Sequence, residues 1–183
     1  MQQLQGIRCG GSMKRLIALV AFAVLLIPQS SASAGRFVNV RSDFDDTASI
    51  LDIQQIGTSS GPPRAFFGVS SYEWFSDGDI YLQEGSYYQF LLDVNRGPGV
   101  DRRVRLYAFP PDSTSVCDVR NRRGVVMGTR NAVLMGGTIF CYVPARWLHI
   151  DDERLLKWIL QAKEFGSVVD RHPTAGWVRD SFG

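Results

Sequence analysis

Apolar residues in this chain come in short runs, often alternating with polar ones, and the runs are separated by Gly, Pro, Asp, Asn and Ser. Alternation at a period of two, bounded by turn residues, predicts half-buried β-strands. "RFVNV" reads as a short opening strand, "SDFDDTAS" as a loop, and "ILDIQQI" as a second strand with Leu51 and Ile53 on one face. "RAFFGVSSYEWF" reads as a third strand, after the turn "SSGPP". "SDGDIYLQEGS" is turn-rich, with at most a short strand at Ile80 to Leu82.

Two further strands flank a flexible and φ-fixed loop, Asn95 to Gly99. In the first, Phe90, Leu92 and Val94 alternate with Gln89, Leu91 and Asp93; in the second, Val104, Leu106 and Ala108 alternate with Arg103, Arg105 and Tyr107. Side chains at i and i+2 share a face, so one set of each strand enters a core and the Arg/Tyr set faces water. "TSVCDVR" and "GTIFCYVP" follow as strands, with Ile139, Cys141 and Val143 in phase. "GVVMG" and "NAVLMG" between them read as short edge strands or a hairpin. "DDERLLKWILQAKEFG" carries two patterns at once. Its initial acids and terminal Gly suit a helix, while Leu156, Trp158, Leu160 and Ala162 alternate with polar neighbours. The β-rich surroundings favour a strand from near Leu155, with Trp158 in the core. "VVDRHPTAGWV", with Asp170, Pro173 and Gly176, reads as a turn or loop. The fold expected is all-β, an antiparallel two-sheet sandwich of jelly-roll type.

The N-terminal region has a different organisation. Residues 1–12 are polar and show no structural pattern, whereas Met13 begins the order of a secretory signal peptide: Lys14 and Arg15, an apolar run from Leu16 to Ile27, Pro28, then Ala32-Ser33-Ala34. The run is about 12 residues, and a membrane-spanning helix takes roughly 20. The reading is therefore an upstream over-call at 1–12, a signal peptide at 13–34, and one domain at 35–183. Cleavage is placed after Ala34, with Ser30-Ser31-Ala32 as the competing site.

Export changes the charge balance and the role of the cysteines. The chain has 20 Lys+Arg and 18 Asp+Glu; without Arg8, Lys14 and Arg15 the basic count falls to 17 and the net charge to −1. That removes the basic surplus on which sequence-independent nucleic-acid affinity rests. Cys9 is lost with the leader, and Cys117 and Cys141 remain. In an exported protein an even pair predicts a disulfide. Free thiols fit that setting poorly, and zinc would need about four ligands where only His149 and His172 could join the sulfurs.

Little in the sequence points to catalysis. There is no G-x-S-x-G elbow and no histidine placed beside a nucleophile, although a carboxylate pair for hydrolysis would be set in space rather than in sequence. The acidic signal is stronger: "SDFDDTASILD" offers Asp43, Asp45, Asp46 and Asp52, while Asp93 and Asn95 close another strand. Calcium takes six to eight oxygens, and such loops could supply them. Side-chain bonds to turn backbone would explain the same residues. Among the aromatics, Trp74 and Tyr87 are the candidates for an exposed sugar-stacking face, and core filling is the competing role.

In order, an Asp-rich loop, "LDI", "FLLDVN", the cysteine region, "VP" before a late Trp strand, and "VDRHPTAGW" give the chain from Phe37 to Val178 a resemblance. It resembles small secreted β-sandwich domains of high-GC Gram-positive bacteria, which in turn are similar to DOMON-like and family-9 carbohydrate-binding-module sandwiches. The resemblance implies a two-sheet sandwich, in some relatives with calcium or a sugar on the sheet, and matches Asp46, Asp52, Asp93 and Asp170. It departs in lacking a glycine in "DFDD" and a pair of flanking tryptophans. The expectation is a secreted, non-catalytic binding or cell-envelope module, with Ca2+ as the only cofactor. Its expected metal set is Asp43, Asp46, Asp52, Asp93 and Asp170. The sequence leaves the partner open, a glycan or cell-envelope component being compatible with it, with no nucleic acid and no membrane span after processing. A carbohydrate-binding module and a hydrolase with a carboxylate pair are the alternatives.

Overall fold

A computed structural model describes residues 39–59, 63–94, 99–109, 114–149 and 156–180. The expected leader at 13–34 lies outside them, and Gly35–Gly183 forms one compact unit. No helix among the described residues is long and apolar enough to cross a membrane.

Among the described residues twelve strands follow one another: β1 (Asn39–Ser42), β2 (Ile53–Ser59), β3 (Arg64–Ser71), β4 (Tyr87–Asp93), β5 (Arg102–Phe109), β6 (Thr114–Asn121), β7 (Val126–Asn131), β8 (Val133–Met135), β9 (Thr138–Pro144), β10 (Leu156–Glu164), β11 (Ser167–His172) and β12 (Val178–Asp180). A short helix, α1 (Ala145–Leu148), follows β9. They build two antiparallel sheets. The smaller has the order β1-β2-β3-β9-β8; the larger runs β11-β10-β4-β5-β6-β7, with β12 also paired to β10.

The expected parity holds. Phe90 and Leu92 of β4, Val104 and Leu106 of β5, and Trp158 and Leu160 of β10 are fully buried between the sheets. Phe67 of β3 closes this core from the smaller sheet, its ring 5.0 Å from Phe90, which lies 5.8 Å from Trp158. Cys117 of β6 and Cys141 of β9 form a disulfide across the two sheets, with Cα atoms 6.4 Å apart.

Several local expectations are corrected. Leu51 and Asp52 precede β2 in a turn, where the Asp52 N–H donates to the Ser49 carbonyl at 3.1 Å. The third strand stops at Ser71, which leaves Trp74 in a loop. Residues 77–84 form two short 3-10 turns, Asp77–Ile80 and Leu82–Glu84, with a single bridge from Tyr81 to Ala108. The ambiguous segment is strand β10, paired to β4 from Lys157↔Asp93 through Lys163↔Tyr87. The supposed C-terminal loop contains β11 and β12, both on the free side of β10. Arg105 has the outward parity expected of it but does not simply face water: Asp118, opposite it on β6, accepts bonds from its Nε and Nη2, and its side chain is 11 % exposed.

Candidate functional site

The acidic loop after β1 is folded back onto one end of the larger sheet. The Asp43 N–H donates to the Gln54 carbonyl at 2.9 Å, and the Ser49 hydroxyl donates to Glu164 of β10. The turn at Ser49–Asp52, held also by Tyr72 N–H donating to the Asp52 carbonyl at 3.1 Å, directs Asp52 inward. From the other side, Asp170 stands opposite Ala162 in the β10–β11 ladder and so shares its buried face. Asp170 Oδ2 accepts the Ile53 N–H at 2.7 Å, and Oδ1 accepts the Arg171 N–H. Asp46, exposed on the loop, completes a group in which one oxygen from each of Asp46, Asp52 and Asp170 lies within 4.8 Å of the others.

Asp52 is the unusual member. It is 1 % exposed, and among the described residues no donor meets either carboxylate oxygen. Its surroundings push its pKa from 3.8 to about 7, chiefly through burial, then through Asp170 and Asp45. Burial likewise raises Asp170, helped by Asp43 and Asp46, although its two backbone bonds act against the shift. The negative field extends to Tyr72, whose phenol is pushed up by burial and then by Asp45, Asp52 and Asp43. A buried carboxylate without a donor is costly, and a second one beside it makes it costlier. Either a proton or a cation relieves that cost. Two oxygens bound to one calcium at 2.3–2.6 Å lie at most about 5 Å apart, which the 4.8 Å grouping satisfies. Three hard carboxylate oxygens suit calcium better than a softer transition metal.

The other sequence-predicted residues divide. Asp43 borders the cluster, but its Oδ2 lies 3.1 Å from His172 Nδ1, so it faces that ring. Asp93 is not part of the group. It lies on the outer parity of β4 and meets Lys157 Nζ at 3.3 Å, because cross-strand register, not loop proximity, chose its neighbour. Trp74 is 63 % exposed and stands near Gly136 in the β8–β9 turn of the smaller sheet. Tyr87 is half-buried on the larger sheet, with Arg105 5.5 Å and Lys163 Nζ 5.7 Å from its ring centroid. The two aromatics thus do not form one stacking platform.

Sequence reasoning missed three polar positions. His172, set aside as a turn residue, shares the buried parity of Asp170 and faces Asp43. Asp180 Oδ2 accepts bonds from Thr58 Oγ1 at 2.8 Å and Trp158 Nε1 at 2.6 Å, while Oδ1 accepts from Arg41 at 2.7 Å. Asp118 gathers Arg105 and Arg120, and it helps burial push the adjacent Tyr107 phenol up to about 12. None has a local motif; a lone Asp at the inward parity of an end strand is the only signal that could have pointed to Asp180.

Comparison with protein-family models, with curated proteins and with solved structures gives no match.

Proposed function

We propose that this chain is an exported, non-catalytic binding or cell-envelope module whose sandwich is locked by calcium at Asp46, Asp52 and Asp170. One observation carries the reading: Asp52 is buried beside Asp170 with both oxygens lacking a donor among the described residues. Calcium would tie the loop after β1 to β11 and neutralise charges that otherwise repel. Export is supported by the signal-peptide order of residues 13–34 and by a disulfide of the kind that persists in oxidising compartments.

Thermal melting in EDTA and in excess calcium tests the lock. A ligand at about 100 times its Kd stabilises the state it binds by about 2.7 kcal/mol, or roughly 5–10 °C for a domain of this size. The melting temperature should fall by that order in EDTA and recover with calcium but not with the same concentration of sodium. Asp52→Asn should abolish the response. An unchanged melt would remove calcium from the reading.

A further inference from the structure

The end of the sandwich where β7 and β8 close the two sheets has a second site, with the opposite electrostatic character. Between Asp118 and Asp151 the chain has no acidic residue and five arginines, of which Arg130 lines this site. Here Arg64, Thr129, Arg130, Asn131, Phe140 and Tyr142 line a cleft of about 400 Å3, within the roughly 300–1,000 Å3 of small-ligand sites. The strands place each part. Arg64 begins β3 opposite Pro144, and Phe66 and Gly68 face Tyr142 and Phe140 across the ladder. Gly68 leaves room for the Phe66 ring, whose tip would lie 2.8 Å from any Cβ there. Phe66 lies down beside Tyr142 and Phe140, with centroids 5.1 and 5.9 Å away. Tyr142 is half exposed at the edge of this aromatic strip.

On the other wall, the Arg130 guanidinium rests 5.1 Å from the Trp147 ring centroid. Trp147 lies in turn against Gly128, where a Cβ would come within 2.4 Å of the ring. Arg130 is therefore oriented by an aromatic face rather than by a carboxylate; among the described residues none pairs with it. The side chains of Asn131 and Tyr142 likewise have no hydrogen-bond partner among the described residues.

We propose that this cleft binds the carboxylate-bearing sugar of an acidic polysaccharide. An oriented guanidinium matches a carboxylate, and the half-exposed Tyr142 offers an apolar face to a pyranose. The proposal names the ligand class of the binding module and rests on that half of the reading above. It is independent of the calcium lock and puts recognition on neither Trp74 nor Tyr87.

The test is affinity electrophoresis of the folded protein through gels containing polygalacturonate, its fully methyl-esterified form, or dextran sulfate, each run in EDTA and in calcium below the melting temperature. Polygalacturonate should retard the protein in both conditions and the neutral ester should not. Arg130→Gln should weaken retention roughly tenfold, the loss of one charge-assisted contact. Tyr142→Ala should weaken it several-fold while leaving the arginine in place, and Trp74→Ala should leave it unchanged. Circular dichroism confirms that each variant is folded. Equal retention of parent, Arg130→Gln and Tyr142→Ala would overturn the proposal. So would equal binding of the neutral ester, binding of dextran sulfate as strong as that of polygalacturonate, loss of binding in EDTA with the fold intact, or no retention at all. A protein that melts higher in calcium yet ignores polygalacturonate loses only this proposal. One that binds through Arg130 but melts identically in EDTA loses only the calcium lock.

Discussion

At the scale of single residues, the informative groups are carboxylates placed where apolar side chains belong. Asp180 has three donors and is satisfied; Asp52 has none among the described residues. The difference has a measurable sign. In metal-free protein the folded-state pKa of Asp52 is about 7 against 3.8 for an ordinary aspartate, so the folded chain holds a proton that the unfolded chain releases. The associated stability is fully present below pH 3.8 and is lost as pH rises through about 7. Asp52→Asn, a neutral mimic of the protonated acid, lacks that loss. Urea unfolding in EDTA at pH 5 and pH 8 should show parent losing on the order of a few kcal/mol relative to Asp52→Asn between the two values. Parallel behaviour of the two proteins would place the Asp52 carboxylate in a solvated setting.

At the scale of elements, neighbours settled what propensity left open. The 156–164 segment had both a helix's end signals and a strand's alternation; β10 exists because β4 pairs with it along seven residues and buries Trp158 and Leu160. The 167–180 segment read as a loop because Asp170, Pro173 and Gly176 favour turns. Asp170 instead spends its oxygens on the Ile53 and Arg171 N–H groups, so a turn-forming residue sits within a strand. Strand β7 shows the same dependence on a partner. Gly128 is needed not for its backbone freedom but because Trp147 occupies the space a side chain would take. Gly128→Ala should cost about 1–3 kcal/mol, as overpacking does, and should displace Trp147 from beneath Arg130. A lower denaturation midpoint with a changed tryptophan emission would show both effects; unchanged emission would mean that the ring does not lie there.

At the scale of the whole molecule, the disulfide and the charge distribution matter most. The Cys117–Cys141 link joins a strand of each sheet and closes a loop with a sequence separation of 24. Loop-closure entropy makes that worth about 3.5 kcal/mol. Cys117→Ala with Cys141→Ala should lower the melting temperature by roughly 7–14 °C, and reduction of the parent should act in the same direction. A double variant that melts with the parent would show that sheet packing alone sets the stability. Charge is segregated at the same scale. Asp46, Asp52 and Asp170 meet at one site with Asp43 and Asp45 beside it, while the acid-free stretch from Val119 to Ile150 supplies most of the cleft that Arg64 and Arg130 line. A net charge near zero conceals two sites that would attract opposite ions.

Much of the architecture was legible in the chain because alternation is a local property. A strand's buried set can be read from its own residues, and so Phe90, Leu92, Val104, Leu106 and Trp158 were assignable to a core before any pairing was known. The cysteine pair was legible on the expectation of export, since two thiols in an oxidising compartment read as a disulfide. The sites were legible only in part. Asp46 and Asp52 share a loop, but Asp170 reaches them from 118 positions beyond Asp52, and Asp93, equally acidic and at the end of β4, meets Lys157 instead. Strand order and register decided between those two aspartates. Neither is encoded in any short stretch of sequence: a side chain's partner across a sheet depends on which distant strand arrives beside it.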